Sequence, residues 1–416
     1  MTENPEIIDS QSRLDEECRR LKRAGVFAFD TEFIRDDTFD ARLCLVQVAC
    51  DDRVVLIDPT AEVDVGAFWK LVHDPKILKV VHAGKEDFEV CTRSTGAAPR
   101  NIFDVQIAAG FLGHGYPLSL VRLAGLIVHK RLSKAQTLTD WLRRPLTEEQ
   151  LRYAADDVAH LPAIHAKLAA DLAARGRVAW AEEEFRRFED AQLYRPPPTE
   201  RLQRFKGTRN MDGLGLLVLE RLIEWREAWA REKNRPIRAM MRDDILVEIA
   251  RRRPTRAEQL EVMRGFPQAR NPRIIGQILK IIEDAKATPK KELPAKVEVR
   301  EESPHTRVAT DVLSAFARAT CLAESLDMDL VGGAQRIREL LDYMREGAAE
   351  NAASNGQRPA LLQGWREAFL GKRMVELLEG RCELHISGWP DELRLDVVSH
   401  RRVRTKAAPD ATPAAE

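Results

Sequence analysis

The chain has 416 residues and a mass of 47.2 kDa, room for roughly two to four domains at the usual domain size. It is 44% hydrophobic and 32% charged, so it can bury cores and keep a wet surface, which excludes a mostly disordered or collagen-like chain. The formal net charge is zero, 66 Lys and Arg against 66 Asp and Glu, and taken whole that argues against a nucleic-acid partner.

The N-terminal stretch MTENPEIIDSQSRLDEECRR is polar and acidic, so no signal peptide is expected. VFAFD (26–30) is a short apolar run that ends in polar residues and reads as a strand. LCLVQVAC (43–50) and RVVLIDP (53–59) read as two more strands, joined by a turn at Asp51-Asp52. VGAFWKLVHD (65–74) has a helical pattern, and ILKVVHA (77–83) is again a strand. Strands interleaved with helices of this length predict an α/β domain with a mixed sheet. From about residue 117 the pattern is helical, through SLVRLAGLIV and EEQLRYAADDVAHLPAIHAKLAADLAARG. The first domain is therefore drawn over residues 1–190.

Residues 191–210 contain Pro196-Pro197-Pro198 and read as a stiff linker. A helical domain is expected over 211–287, with Trp225 and Trp229 at i, i+4 as core positions and Asp243 as a helix cap. Residues 288–306 are polar and proline-containing, a second linker. Another helical unit is expected over 307–380. In 381–416, ELHISGWPDELRLDVVS alternates on both sides of a Trp-Pro-Asp turn and predicts a β-hairpin, followed by a disordered tail. No apolar run reaches the roughly 18 residues of a membrane span, so no membrane partner is expected. The six cysteines form no CxxC or Cys/His cluster and read as free thiols of a reducing cytoplasm.

Chemistry is carried by three short pieces. Asp30 and Glu32 stand at i, i+2 at a strand end, so both carboxylates project from one face. Oxygen ligands so placed suit a hard divalent cation such as magnesium or manganese. In HAGKEDFEV, His82 ends a strand and Asp87 follows at the start of a helix. In YAADD, Tyr153 and Asp157 are i, i+4 and share a helix face. Asp156 precedes Asp157, and the spacing from Tyr153 favours Asp157. Four acids brought together would repel one another without cations between them. Two metals about 3.5–4 Å apart are the known arrangement for phosphoryl chemistry.

FDTEF, VVHAGKEDFEV, FDVQIAAGFLG and YAADDVAHLPAI, in this order and spacing, resemble the DEDD exonucleases, in the YxxxD subgroup and specifically the ribonuclease D family. The resemblance spans roughly residues 20–180, and TDWLRRPLTEEQLRYAADDV (139–158) is close to that family's signature. It implies a ribonuclease H-like fold, an RNA substrate such as tRNA precursors, and stepwise 3′→5′ release of nucleoside 5′-monophosphates. It implies two divalent cations held by Asp30, Glu32, Asp87 and Asp157. Asp30, Glu32 and Asp157 would share one cation, Asp30 would bridge to the second, and Asp87 would act on the second through water. Tyr153 would orient the attacking water. Leu45 and Gln47 would lie on a strand beside the site, with Gln47 a substrate contact. Phe33 and His82 would either border the terminal base and ribose or serve as packing residues. The tyrosine in place of histidine implies a monomer. Leu138 stands where the family carries a more polar residue, which is expected to alter substrate contact slightly and the chemistry not at all.

WREAWAREKNRP, IARRRPT and MRGF resemble the HRDC domain, which implies auxiliary nucleic-acid binding. Residues 201–300 hold 24 basic and 14 acidic residues, against 27 and 33 in residues 1–200 and 15 and 19 in residues 301–416. Arginines placed at phosphates release counterions, and Arg252 and Arg253 are the expected substrate contacts in the run from Arg235 to Arg273. GGAQRIRELL and LLQGWREAFLGKRMVELLEG look like a second, degenerate HRDC bundle. The reading is thus an α/β ribonuclease H-like exonuclease domain followed by two all-α HRDC-like bundles. The alternatives are a DNA 3′→5′ exonuclease of the same fold and a non-catalytic RNA-binding protein.

Overall fold

The computed structural model describes all residues except 1–4, 36, 133–138, 197–200, 203–204, 209–210, 267–270, 295–302, 347–357 and 400–416. Leu138, Arg270 and the expected disordered tail lie outside the described residues. The chain forms two compact units, one of residues 1–109 with 117–301, the other of residues 110–116 with 302–416.

The first unit is built on a six-stranded sheet. Its strands are β1 (Glu6–Ile8), β2 (Val26–Ile34), β3 (Arg42–Cys50), β4 (Arg53–Ile57), β5 (Leu78–Val81) and β6 (Ile102–Asp104), in spatial order β1-β4-β3-β2-β5-β6. β2, β3 and β4 pair antiparallel, while β1 lies parallel to β4, and β5 and β6 extend the sheet in parallel from β2. The mixed sheet follows the expectation. β1 and β6 were not anticipated, because three residues are too few to show a period.

Both faces of the central strands are covered, which is why β3 is buried from Cys44 to Cys50 and apolar there apart from Gln47. Helices α1 (Gln11–Ala24), α2 (Gly66–His73), α3 (Lys85–Thr95), α4 (Val105–Phe111), α5 (Leu120–Ile127), α6 (Glu148–Ala159), α7 (Leu161–Ala174) and α8 (Val178–Arg186) accompany the sheet. On β2, Phe27 and Phe29 point to one face and meet Phe68 of α2, with ring centroids 5.5 and 5.7 Å away, and Phe29 also meets Phe88 of α3 at 5.9 Å. Strand alternation therefore sends Ala28, Asp30 and Glu32 to the opposite face. There α6 packs on β3 and β4, with Ala154 among Cys44, Leu45, Leu56 and Trp141.

The basic helical domain belongs to the same unit. Its helices are α9 (Gly213–Lys233), α10 (Ile237–Met240), α11 (Asp243–Arg252), α12 (Ala257–Glu261) and α13 (Pro272–Lys286), around a core that includes Leu219, Leu222, Leu246, Ile249 and Ile278. The segment expected as a stiff linker takes part in this packing: Leu202 is buried in that core, and Arg201 pairs with Glu227 at 2.6 Å. The domain also reaches the β2–β3 loop, where the Phe39 N–H donates to Asn234 Oδ1 at 3.2 Å and the Arg231 guanidinium lies 4.9 Å from the Phe39 ring. Asp243 sits at the first helical position of α11, one residue inside the cap, and pairs with Arg226 at 2.7 Å.

The second unit holds long helices Pro304–Ala323 and Gly333–Glu346, and the hairpin of Cys382–Ser387 with Arg394–Ser399. It also takes residues 110–116, which the sequence reading left in the first domain. Phe111 meets Trp365 edge-on at 4.9 Å, and Asp327 N–H donates to Gly110 O at 2.9 Å. An apolar contact made so far along the chain leaves no local pattern to read.

Candidate active site

Asp30 and Glu32 share the β2 face toward α6, and Asp30 stands directly across from Gln47, Glu32 from Leu45. Thr31, between them, points the other way, and its hydroxyl donates to Asp87 Oδ1 at 2.5 Å. Asp87 sits in the first turn of α3, where the helix dipole favours an acid. The turn that delivers it is tightly built. Ala83 adopts φ 56°, and a Cβ on Gly84 would lie 2.7 Å from Val81 Cγ2, so only glycine fits. Buried Asp104 accepts the N–H groups of Ala83 and Gly84, each at 3.2 Å, and thereby fixes this turn.

Tyr153 and Asp157 arrive on α6. Thr147 and Gln150 close a capping box at its start, with Thr147 Oγ1 accepting Gln150 N–H at 3.2 Å and Gln150 Oε1 accepting Thr147 N–H at 2.8 Å. Arg144 ties the preceding segment down, its guanidinium bonded to both Asp58 oxygens at 2.5 and 2.7 Å, to Trp141 O and to Cys44 O. The small Ala154 and Ala155 are buried and let the helix lie close to the sheet. Tyr153 is half-buried, its ring 6.1 Å from that of Trp141.

Asp30, His82, Tyr153, Asp156 and Asp157 line one cavity of about 240 Å³, with Leu132 and Leu161 among its apolar walls. The acids feel one another strongly. Burial pushes Asp30 well above the usual carboxylate range, and Asp87, Asp157 and Glu32 add to it. Glu32 is pushed up to about 8, by burial first and then by Asp157 and Asp87. Burial also raises Asp87, against the Thr31 hydroxyl, and raises Asp157, against the Tyr153 hydroxyl. Tyr153 in turn is raised by burial and by Asp157 and Glu32. Asp157 Oδ2 is buried and has no hydrogen-bond partner among the described residues.

Sequence comparison gives a matching picture. A family model described as 3′-5′ exonuclease matches residues 5–173, and the HRDC domain model matches residues 216–282. Ribonuclease D of Nitrobacter hamburgensis is 32% identical over 92% of this chain and 97% of its own. Ribonuclease D of Pseudomonas paraeruginosa is 32% identical over 90% of this chain and 98% of its own. The chain belongs to the ribonuclease D family. The crystal structure of Escherichia coli RNase D superposes with a TM-score of 0.76 at 27% identity, covering 91% of this chain and 99% of that one. The chain is accordingly a 3′→5′ exoribonuclease, with the exonuclease domain and the HRDC domain of ribonuclease D.

The DEDD exonucleases to which ribonuclease D belongs are divalent-metal dependent. Among the described residues, no group of three or more His, Cys, Asp or Glu already stands in an arrangement that holds an ion. The donor chemistry nevertheless fits: four side chains that offer only oxygen, raised by mutual repulsion, with one buried oxygen left unpartnered.

The residues expected to contact substrate are scattered. His82 is at the cavity, but its Nε2 is engaged with Leu118 O at 2.8 Å. Gln47 is fully buried, and neither atom of its amide has a partner among the described residues. Phe33 is half-buried under the Arg35 guanidinium at 4.8 Å. Arg252 pairs with Glu248 at 2.5 Å, and Arg253 closes α11 at φ 49° while pairing with Asp212 at 2.7 Å. Thr31, Asp104 and Arg144 escaped the sequence reading. Asp104 stood in the FDVQIAAG motif, yet nothing local marks its bond to a turn twenty residues earlier.

Proposed function

We propose that Asp30, Glu32, Asp87, Asp157 and Tyr153 form the hydrolytic centre of this exoribonuclease, and that it trims the 3′ ends of structured RNA such as tRNA precursors. The carrying observation is the convergence of Asp30, Tyr153 and Asp157 on one cavity, with Glu32 on the same strand face and Asp87 tied in through Thr31. When bound, two divalent cations supply Lewis-acid charge at the attacked phosphate and lower the pKa of the attacking water. Asp30, Glu32 and Asp157 would hold the first, magnesium or manganese. Asp30 would also reach the second, with Asp87 acting on it through water. The Tyr153 hydroxyl holds the attacking water on the Asp157 side. His82 and Phe33 border the terminal nucleotide, and Gln47 supports the site from beneath. Support for structured RNA comes from the Escherichia coli RNase D, an exoribonuclease involved in structured RNA processing. The protein acts as a monomer in the cytoplasm, in keeping with its buried free cysteines, and no helix among the described residues is long and apolar enough to cross a membrane.

The test is digestion of a 5′-labelled, 3′-extended tRNA precursor beside a DNA of matched sequence. Shortening from the 3′ end with release of nucleoside 5′-monophosphates is expected on RNA, stopped by EDTA and restored by magnesium or manganese. Equal digestion of the DNA would remove the RNA preference. Undiminished activity in EDTA would remove the metal reading.

A further inference from the structure

The sequence pattern placed Trp225 and Trp229 in the core of the HRDC domain. The structure sets them at its edge. On α9, Leu222, Arg226 and Ala230 are buried, while Trp225 and Trp229, one step around the helix, are half-buried. Their rings stack with centroids 5.3 Å apart and planes 27° from parallel. They line a cavity of about 350 Å³, the size of a small ligand site. The Trp225 indole N–H donates to Gln277 Oε1 on α13 at 3.1 Å. That bond fixes the ring, and Gln277 itself lines the same cavity. Lys233 and Arg273 stand at its rim, both exposed, against one acid, Glu232, which pairs with Lys233 at 3.1 Å.

We propose that this face is a second RNA site, remote in sequence from the hydrolytic residues, that takes an unpaired nucleobase on the indoles and the adjoining phosphate on Arg273 and Lys233. The chemistry is specific to single strands. Every base has a face that stacks on an aromatic ring, whereas paired bases keep their faces covered by their neighbours. An amide beside the rings can donate to the base edge. Arg238, Arg242, Arg251, Arg252 and Arg253 each pair with an acid of their own domain, as Lys233 does with Glu232, so Arg273 is the leading phosphate contact at this face. The inference rests on RNA as the substrate class and not on the identity of the hydrolytic residues.

The experiment uses the full chain in EDTA, so that nothing is cleaved, and titrates it with a twelve-nucleotide single-stranded oligo(A) and with a duplex RNA of equal length. Intrinsic tryptophan fluorescence should be quenched by the single strand and not by the duplex. Trp229→Leu should weaken single-strand binding roughly tenfold, and Trp229→Phe should restore most of it. Arg273→Glu should weaken binding and flatten its salt dependence by the share of about one phosphate contact. With magnesium present, turnover of a dinucleotide, too short to bridge two sites, should be unchanged in all three variants. Equal quenching by the duplex, unchanged affinity in both Trp229→Leu and Arg273→Glu, or an equal loss on the dinucleotide would each overturn the proposal. If Trp229→Leu fails to fold, Arg273→Glu and Trp229→Phe decide it. A chain that binds oligo(A) through these tryptophans but leaves RNA uncut would fail the hydrolytic reading alone.

Discussion

Single residues at the cavity divide into those that carry charge and those that aim it. In the proposed hydrolytic centre Tyr153 is of the second kind. Its hydroxyl is buried beside Asp157 and Glu32, which holds it protonated across the working pH range. It is therefore a hydrogen-bond donor, not a base. Tyr153→Phe keeps the ring against Trp141 and removes only the hydroxyl. Turnover should fall roughly a hundredfold, as expected for a misplaced nucleophile, with RNA affinity changed by less than about twofold. Single-turnover kinetics and a filter-binding titration check the two halves, and matched losses in both would make Tyr153 a binding residue instead. Strand and helix periods pair Asp30 with Glu32 and Tyr153 with Asp157 in the sequence, but only the resemblance to the DEDD exonucleases joins those pairs and Asp87 into one candidate site. Thr31 and Asp104 were not legible there. Their roles come from bonds to Asp87 and to the Ala83-Gly84 turn, which only the folded chain creates.

At the scale of elements, the site depends on how α6 is moored. The helix period was plain in the sequence, but its anchor was not. Arg144 lies outside the helix and works through Asp58, 86 residues away. Burial alone would raise the Asp58 carboxyl, yet the Arg144 guanidinium, with Thr60, holds it below the usual range. Arg144→Met would leave Asp58 buried without its cation and should destabilise the chain by about 3 kcal/mol, the scale of breaking a buried pair. The pH dependence follows from linkage. A carboxyl depressed on folding contributes stability that is complete above its unfolded pKa, about 3.9, and is lost as pH falls through the lower folded value. The wild-type advantage in urea melts should be constant from about pH 5 to 8 and shrink below about pH 4. A difference that grew on acidification would contradict this anchor. Turnover should fall with stability held aside, because Tyr153 and Asp157 ride on the freed helix. The short edge strands β1 and β6 show the other limit of element reading: with three residues each, they are set by the sheet they join.

For the whole molecule, zero net charge at first spoke against a nucleic acid. The fold resolves this into unlike parts. The excess acid of the first domain includes Asp30 and Asp157 at the cavity and the Glu32 and Asp87 carboxylates interacting with them, which the proposed cations would neutralise. The basic excess of residues 201–300 falls on a domain that packs against the β2–β3 loop of the exonuclease domain, through Asn234 and Arg231 on Phe39. Arg238, Arg242, Arg251, Arg252 and Arg253 pair within the domain with Asp212, Asp243, Asp244 and Glu248. A charge count could locate the domain but could not say which cations stay open to a phosphate. The polar stretch 288–306 spans the change from one unit to the other, whereas the stretch around Pro196 lies within the first unit, and the passage of residues 110–116 into the second unit rests on Phe111 and Trp365.

In the proposed centre, hydrolysis runs through the carboxylates around Asp30. The direct measurement is 3′-end digestion of labelled RNA by Asp30→Asn in saturating magnesium, with RNA affinity and thermal melting measured on the same preparation. Asn keeps the shape of the side chain and removes its charge. Turnover should fall by more than about a hundredfold, with melting unchanged or raised because one buried repulsion is gone, and with RNA still bound. Full turnover in a folded Asp30→Asn chain would contradict the proposed centre.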